Sequence, residues 1–318
     1  MMGLGVIILE LVAPLLELLA PYMPGEIFPS FFKLEMAQRS LIAAIMVTIV
    51  AGFLGLFLIM KNQALMGDGL AHVSFGGIAV GVVLGSSSPL WYALLFAVIA
   101  SVCINELQSR DILTGDASIA IFLTGTLALG LVILKVWEGE EFTGIAEIHS
   151  YLFGNLLLMP DDSLDLIALV CVVSLVLLAA LRNALLATTI DPLAARIQGI
   201  PVRRIELLFG IITAAVVVSM VKVVGALLVT ALLVTPAATA KQISSSFKSC
   251  VFMTQVIGLI SVMSGIYISS EMNSGTGSTI ALVAAIIFAI VVNPINDLLI
   301  IYYSLYCIFH FLIIYLGI

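Results

Sequence analysis

The chain has 318 residues, of which 62% are hydrophobic and only 10% are charged. Soluble domains are about half apolar and about one quarter charged, so this composition excludes a soluble globular protein. The 12 basic residues are scattered among 19 acidic ones, for a net charge of −7, and nothing indicates nucleic-acid binding. The sequence therefore predicts a polytopic membrane protein.

The first thirty residues contain an apolar stretch at 3–20 but no Lys or Arg, so no signal peptide is predicted. Glu10 and Glu17 lie seven residues apart on one face of this stretch, and Pro14 interrupts it. The segment is either an interfacial helix or an imperfect membrane span. We favour the interfacial helix.

Apolar runs of about twenty residues, the length that crosses a bilayer, follow along the rest of the chain. They lie at about 37–60, 63–85, 89–107, 117–136, 163–181, 205–221, 223–240, 250–269, 277–294 and 298–317. We therefore predict an all-α, polytopic transmembrane helical bundle with about eight to ten spans.

The basic residues support this arrangement. If Lys61 is cytoplasmic, strict alternation of the spans places most other basic residues on the same side, as the positive-inside rule requires. These residues are Arg110, Arg182, Arg196, Arg203, Arg204, Lys241 and Lys248, whereas Lys33, Arg39 and Lys135 fall outside. The acidic loop 137–150, with His149, then lies outside as well.

Lys222 divides a long apolar region that is predicted to fold as a hairpin, with spans 205–221 and 223–240 and the lysine near the turn. The simpler interpretation is that Lys222 extends to the outer headgroups. The alternative is that it lines an outward-facing vestibule. His310, among the aromatic residues of the run 298–317, is interpreted as a packed or interfacial histidine.

Asp68 and His72 lie within the run 63–85, and their spacing of four residues puts both side chains on one face of a helix. An ionisable group at membrane depth costs at least about 2.5–3.5 kcal/mol and normally faces protein or water along a pathway. A carboxylate and an imidazole also form a partial ligand set for a divalent transition metal. The alternatives are that Asp68 caps the helix that follows and that His72 is a hydrogen-bonded interior histidine. We favour the metal-ligand interpretation.

A short helix is predicted on the cytoplasmic side after Arg182. Asp191 is a good N-cap, Pro192 suits the first helical position, and Gly199 suits the position that follows the C-cap. Such a helix, stopped at both ends, can offer a contact to a soluble partner. A plain surface helix between two spans would have the same pattern.

Two kinds of site are not indicated. The segment 273–278 is predicted to be a turn and a helix start, and no stretch has the GxxxxGK[ST] pattern of a nucleotide loop, so an ATPase would be a separate chain. The cysteines are isolated in apolar runs and are interpreted as core residues rather than disulfides or metal ligands. They are Cys103, Cys171, Cys250 and Cys307.

Four stretches resemble, in the same order, the permease subunits of the ABC importers for zinc, manganese and iron. They are LMGDGLAH at 65–72, DPLAARIQG at 191–199, VGALLVTALLVTPAATA at 224–240 and NSGTGSTI at 273–280. The similarity covers about residues 36–295. It implies a single transmembrane permease domain over 1–318, with an N-terminal interfacial or extra helix at 1–35, the permease core at 36–295 and an additional C-terminal span at 296–318.

The resemblance further implies a multi-pass subunit in the plasma membrane of a prokaryote, which translocates zinc, manganese or iron and is not itself an enzyme. Its partners would be a second copy of itself, a cytoplasmic ATP-binding subunit and an extracytoplasmic metal-binding protein, and it would hold no permanent cofactor. Asp68 and His72 would contact the transported ion. The residues that couple the permease to the ATPase would be Asp191, Pro192, Ala195, Arg196 and Gly199.

Two other classes of protein use intramembrane acids. A secondary, cation-coupled metal transporter would need the same Asp and His but no ATPase. An intramembrane aspartyl protease would need a second catalytic aspartate at membrane depth, and Asp116, Asp165 and Asp297 all lie at predicted span ends, which makes this class a poor fit.

Overall fold

The computed structural model of the protein describes residues 3–86, 88–110, 112–113, 115–137 and 161–292. These residues form helices and no strands. The helices are α1 (Leu4–Leu19), α2 (Glu35–Met60), α3 (Met66–Val83), α4 (Leu90–Ser109), α5 (Gly115–Val136), α6 (Asp161–Ile190), α7 (Pro192–Ile197), α8 (Val202–Val224), α9 (Val229–Leu233), α10 (Thr235–Ile243), α11 (Phe247–Met272) and α12 (Thr276–Val292). His149, nearly all of the predicted loop 137–150, and the predicted span 298–317 with His310 lie outside the described residues.

Eight helical segments of the described chain are long and apolar enough to cross a membrane, which confirms the predicted polytopic helical bundle. They comprise α2, α3, α4, α5, α8 and α11, most of α6, and α1 together with the short turn that follows it. The helix α12 is equally apolar but shorter. Of the four cysteines, Cys103, Cys171 and Cys250 are free thiols, as predicted, and Cys307 lies outside the described residues.

Polar contacts between helix termini define one end of the bundle. Arg203 of α8 donates hydrogen bonds of 2.6 and 2.5 Å to the two carboxylate oxygens of Glu106, near the end of α4. Gln63, in the turn between α2 and α3, donates to Gln108 of α4 at the same end. Since Lys61 lies in the same turn, this is the basic end that the positive-inside rule places in the cytoplasm.

The opposite end, the outer end, is marked by contacts with the segment that precedes α2. Asp165, near the start of α6, accepts a hydrogen bond from the backbone of Gly5. Glu271, in the last turn of α11, accepts one from the backbone of Ile27. The long helices therefore alternate in direction between the two ends, as the distribution of basic residues predicts.

The helix α3 lies inside the fold. It packs against α4 and α5, and α8 and α9 also contact it. In the membrane-spanning window of α3, 72% of the residues are buried, against 17% in that of α5. The helix with the acid and the imidazole is thus central, and α5 covers it from the edge of the bundle.

The prediction of a continuous span at 223–240 is wrong. The helix α8 ends at Val224. The next residue, Gly225, has a φ of 93° and a ψ of 150°, a backbone conformation that is essentially restricted to glycine. Residues 226–243, the broken arm, then return as a 3₁₀ turn followed by α9 and α10. Pro236, at the start of α10, has no backbone N–H to continue a helix from α9. Lys222 is half-buried in the last turn of α8, close to the hairpin turn as predicted.

The broken arm is held inside the protein. Gly55 of α2 lies directly against the backbone carbonyl of Leu233, where any larger residue would collide. Val229 and Ala237 are fully buried. Irregular backbone at membrane depth is tolerated only where protein surrounds it or where it lines a wet cavity. The arm meets the first of these conditions, because the surrounding helices enclose it.

Candidate metal site on helix α3

Asp68 lies closer to the cytoplasmic end than the predicted span 63–85 suggests. Helix α3 begins at Met66, so Asp68 is its third residue, and the N-cap is Leu65, which makes no side-chain capping bond. The alternative in which Asp68 caps the helix is therefore wrong. A carboxylate in the first turn is still stabilised by the positive end of the helix dipole.

Asp68 and His72 share one face of α3, as predicted. The Oδ1 atom of Asp68 lies 3.7 Å from Nε2 of His72. Two ligands of one tetrahedral ion, with bonds of about 2.0–2.1 Å, lie about 3.3 Å apart. A small side-chain rotation therefore brings both atoms onto one ion.

His72 does not have the surroundings of a satisfied interior histidine. Its side chain is 14% exposed, and Nδ1 is buried without a hydrogen-bond partner among the described residues. Nε2 is too far from Asp68 for a hydrogen bond. A buried polar atom left unpaired costs about 1–3 kcal/mol, and such a cost is typical of a side chain kept for binding rather than for packing.

The neighbours of Asp68 along the helix show where its side chain points. A Cβ on Gly67 would lie 2.6 Å from Leu233, so this side of α3 touches the broken arm. A Cβ on Gly69 would collide with Ile119 of α5. Asp68 projects between these two directions, about 100° from each. Its side chain is 32% exposed, so the gap between α5 and the broken arm is open.

The donor set of one chain is incomplete. Among the described residues, no group of three or more His, Cys, Asp or Glu side chains is placed to hold a metal ion. Asp68 and His72 are therefore the two candidate ligands that this chain offers. A closed site of four protein ligands retains its metal as part of the structure, whereas conduction requires binding that is weak enough to release the ion.

The short helix α7 has the predicted local structure. Oδ1 of Asp191 accepts hydrogen bonds from the backbone N–H of Leu193 at 2.9 Å and of Ala194 at 3.0 Å, Pro192 is the first helical residue, and Gly199 has a φ of +81°. Ala195 is buried and fixes the helix to the bundle, while Arg196 is exposed.

Two large apolar side chains of α7 are open to the aqueous side of the cytoplasmic end. Leu193 is 69% exposed and Ile197 is 88% exposed. Two exposed apolar side chains on one short helix could form a contact surface for a soluble partner, but single exposed apolar residues are also common on plain surface helices.

Sequence reasoning missed an ion pair beside the start of α3, because it treated Lys61 only as a marker of sidedness. Nζ of Lys61 lies 4.0 Å from Glu206 of α8 and 5.1 Å from the ring centre of Phe209. Burial lowers the pKa of Lys61 below its ordinary value, and Glu206 partly offsets this. No local pattern predicts the pair, since Lys61 in the turn before α3 and Glu206 on α8 lie far apart in the chain.

The architecture defines the class of protein. A bundle of membrane-spanning helices, a broken arm beside an intramembrane acid and imidazole, and a stopped helix at the cytoplasmic end together describe a transport permease. Residues 33–293 match the ABC 3 transport family, and the chain belongs to this family.

Named relatives agree with this assignment. The manganese import system permease protein ScaB of Streptococcus parasanguinis is 31% identical over 268 residues, which cover 84% of this chain and 94% of that protein. The manganese transport system membrane protein MntC of Halalkalibacterium halodurans is 31% identical over 83% of this chain and 88% of its own length. The chain is therefore a multi-pass ABC permease subunit of the bacterial metal importers, whose ATPase is a separate subunit.

Solved structures show the same fold. PsaBC from Streptococcus pneumoniae, in complex with Fab, superposes with a TM-score of 0.71 at 32% sequence identity, over 81% of this chain and 91% of that chain. An inward-facing metal-chelate type ABC transporter superposes with a TM-score of 0.60 at 16% identity, over 89% of this chain and 97% of its own, which indicates a shared fold only. An enzymatic role as an aspartyl protease is excluded by the family, and Asp165 lies at the end of the bundle opposite Asp68.

Proposed function

We propose that this protein forms the translocation path of an ATP-driven importer of a divalent transition metal, with manganese as the first candidate. The observation that carries the proposal is the pair Asp68 and His72, 3.7 Å apart and facing an open gap. Carboxylate and imidazole accommodate manganese, zinc and ferrous iron. The named relatives ScaB and MntC are manganese transport proteins, which favours manganese among the three.

A second copy of the chain would complete the site. The helix α5, which covers α3, is itself largely unburied, so a partner could pack against this side, and the ion would then pass between two weak pairs, one from each copy, rather than be held by a closed set of four. A closed two-fold arrangement is the commonest way for identical chains to pair. In this arrangement the permease core at 36–295 lines the path, and the segments at 1–35 and 296–318 are additions to it.

The cytoplasmic ATP-binding subunit would dock on α7, which includes Pro192, Ala195 and Arg196. This helix leads through Pro201 into α8. Side chains in the first two turns of α8 contact Glu106 of α4 and Lys61, which lies in the turn before α3. A displacement of α7 would thus reach the turn that precedes Asp68. Switching between outward and inward opening by rigid-body shifts of packed helices is a known transition of transporters. An extracytoplasmic metal-binding protein would deliver the ion at the outer end.

The test is uptake of radioactive Mn²⁺ into vesicles that contain the permease and its ATPase, with the metal-binding protein supplied on the outer side. We expect uptake that requires ATP inside the compartment equivalent to the cytoplasm and that continues without an ion gradient. Asp68→Asn and His72→Gln should each reduce uptake at least tenfold while assembly with the ATPase persists, because each removes a ligand.

Asp116→Asn is the matched control, since Asp116 is also a first-turn acid at the cytoplasmic end but is exposed. It should retain normal uptake. Uptake driven by an ion gradient without ATP would instead favour the secondary transporter, and undiminished uptake in both site variants would refute the assignment of the site.

A further inference from the structure

The segment 3–32 lies entirely before the part of the chain that matches the family, and its contacts lie at the outer end of the bundle. Oδ1 of Asp165 accepts hydrogen bonds from the backbone N–H of Gly5 at 2.8 Å and of Val6 at 3.2 Å. Oε1 of Glu271 accepts from Ile27 at 2.9 Å and Phe28 at 3.0 Å. Two carboxylates from α6 and α11 therefore hold the two ends of the segment.

These anchors fix both ends of α1 at one end of the bundle, although its length and composition would allow it to cross a membrane. Its first residues are fixed near the outer end of α6. At its other end, the turn Ala20–Tyr22 packs against Phe28–Phe32. Phe28 in turn stacks edge-on against Tyr267, 5.4 Å away, near the outer end of α11. Both ends of α1, a helix about 24 Å long, thus lie at the level of the outer end.

The side chains of α1 fall into three stripes along the helix. One stripe packs on the bundle and contains Gly5, Leu9 and Leu16, all buried. A second stripe is apolar and exposed: its members are Leu4, Ile7, Leu11, Leu15 and Leu18, with Leu11 78% and Leu18 69% exposed. The third stripe carries the exposed acids Glu10 and Glu17. A helix with one packed, one apolar and one charged face is suited to the plane between lipid and water.

The neighbouring helix identifies what covers the apolar stripe. Packing of α1 on α6 leaves α6 with an exposed side that contains Leu169, Val173 and Val176 along its membrane span. This exposed apolar side is suited to contact with lipid, and the apolar stripe of α1 continues it at the outer end. We propose that the segment 3–32 is an interfacial strap: α1 lies flat in the outer leaflet, with its apolar stripe among lipid chains and its acids in water, and Asp165 and Glu271 hold the strap across α6, α2 and α11.

Single cysteines in a variant without the four native cysteines test the orientation of α1 in the intact, reconstituted permease. A membrane-impermeant maleimide added on the outer side should label both Glu10→Cys and Glu17→Cys. A fluorophore at Leu11→Cys and at Leu18→Cys should be quenched to the same extent, within about twofold, by lipids with a spin label near the headgroup. Ser245→Cys, exposed at the cytoplasmic end, should be labelled only after permeabilisation.

Each other outcome would overturn the proposal. If α1 crossed the membrane, at most one of the two acidic positions would be labelled from the outer side, and the two leucine positions would differ in depth. If a second copy or a soluble partner covered the apolar stripe, spin-labelled lipid would quench neither leucine position.

The anchors are tested separately, at the buried position Leu16→Cys. When Asp165→Ala is added, the labelling rate of the cysteine at position 16 should rise at least severalfold, because the strap is released from α6. Glu35→Ala is the matched control at the same end, since its carboxylate pairs with Arg39 rather than with the strap, and it should leave the rate unchanged. An equal rate with and without Asp165 would show that this carboxylate does not hold the strap.

Discussion

Lys61 and Asp68 lie near each other in sequence, at the turn between α2 and α3, but their side chains differ in burial and in their partners. Lys61 is only 9% exposed, with Glu206 and the ring of Phe209 around its ammonium group. Asp68 is 32% exposed, and its Oδ1 atom lies 3.7 Å from Nε2 of His72. The lysine is therefore already paired, whereas the carboxylate remains available to an incoming cation.

The lowered pKa of Lys61 predicts a pH-dependent stability. Below this pKa the ammonium is charged in both the folded and the unfolded protein, and its full desolvation cost destabilises the fold. As the pH rises toward the ordinary value of 10.5, the folded protein loses the proton first and the cost disappears. Lys61→Met should therefore melt at a higher temperature than the parent at pH 7, and this difference should shrink toward pH 10.

Thermal unfolding in detergent over this pH range measures the effect. Lys241→Met, which removes an exposed lysine at the same end, is the control and should not raise the melting temperature at pH 7. A difference for Lys61→Met that grows with pH would contradict the assigned direction of the shift.

At the scale of elements, α7 was predictable and the broken arm was not. Asp191, Pro192 and Gly199 act on backbone groups within a few residues, so their spacing alone defines the helix. The broken arm has an apolar sequence suited to a membrane span, but Gly225 and Pro236 interrupt the helix. The irregular backbone is tolerated because the arm is buried between α2, α3 and α12. That burial depends on contacts between segments distant in sequence.

Gly225 should be intolerant of any side chain, because its backbone conformation is essentially restricted to glycine. Gly225→Ala is expected to cost about 1–3 kcal/mol and to lower the melting temperature of the permease in detergent. Gly125→Ala is the matched control: a Cβ there would meet nothing within 4 Å, and inside helix α5 the change should gain about 0.5–1 kcal/mol. Equal stability of the two variants would contradict the role assigned to Gly225.

The exposed apolar residues of α7 should carry the contact with the ATPase. Ile197→Glu places a charge where an apolar contact is proposed, and it should reduce copurification of the ATP-binding subunit at least tenfold without lowering the yield of the permease. Ile243→Glu, at the exposed end of α10 on the same side of the bundle, is the control and should copurify normally. Equal copurification of both would remove α7 from the contact.

At the scale of the whole molecule, the sequence predicts the number and direction of the helices because apolar length and basic residues are local or cumulative signals. It leaves open whether the segment 3–20 spans the membrane. The answer depends on Asp165 and Glu271, which bind backbone groups 160 and 244 residues away along the chain. The pairing of Asp68 with His72 was predictable because one helical turn joins them, but the position of Asp68 between α5 and the broken arm was not.

The most direct test of the central claim is pulsed EPR of Mn²⁺ bound to the purified complex of permease and ATPase. We expect coupling to an imidazole nitrogen, which disappears in His72→Gln and persists when the other two histidines, His149 and His310, are both replaced by Gln. A nitrogen coupling that survives in His72→Gln would show that this helix does not hold the ion.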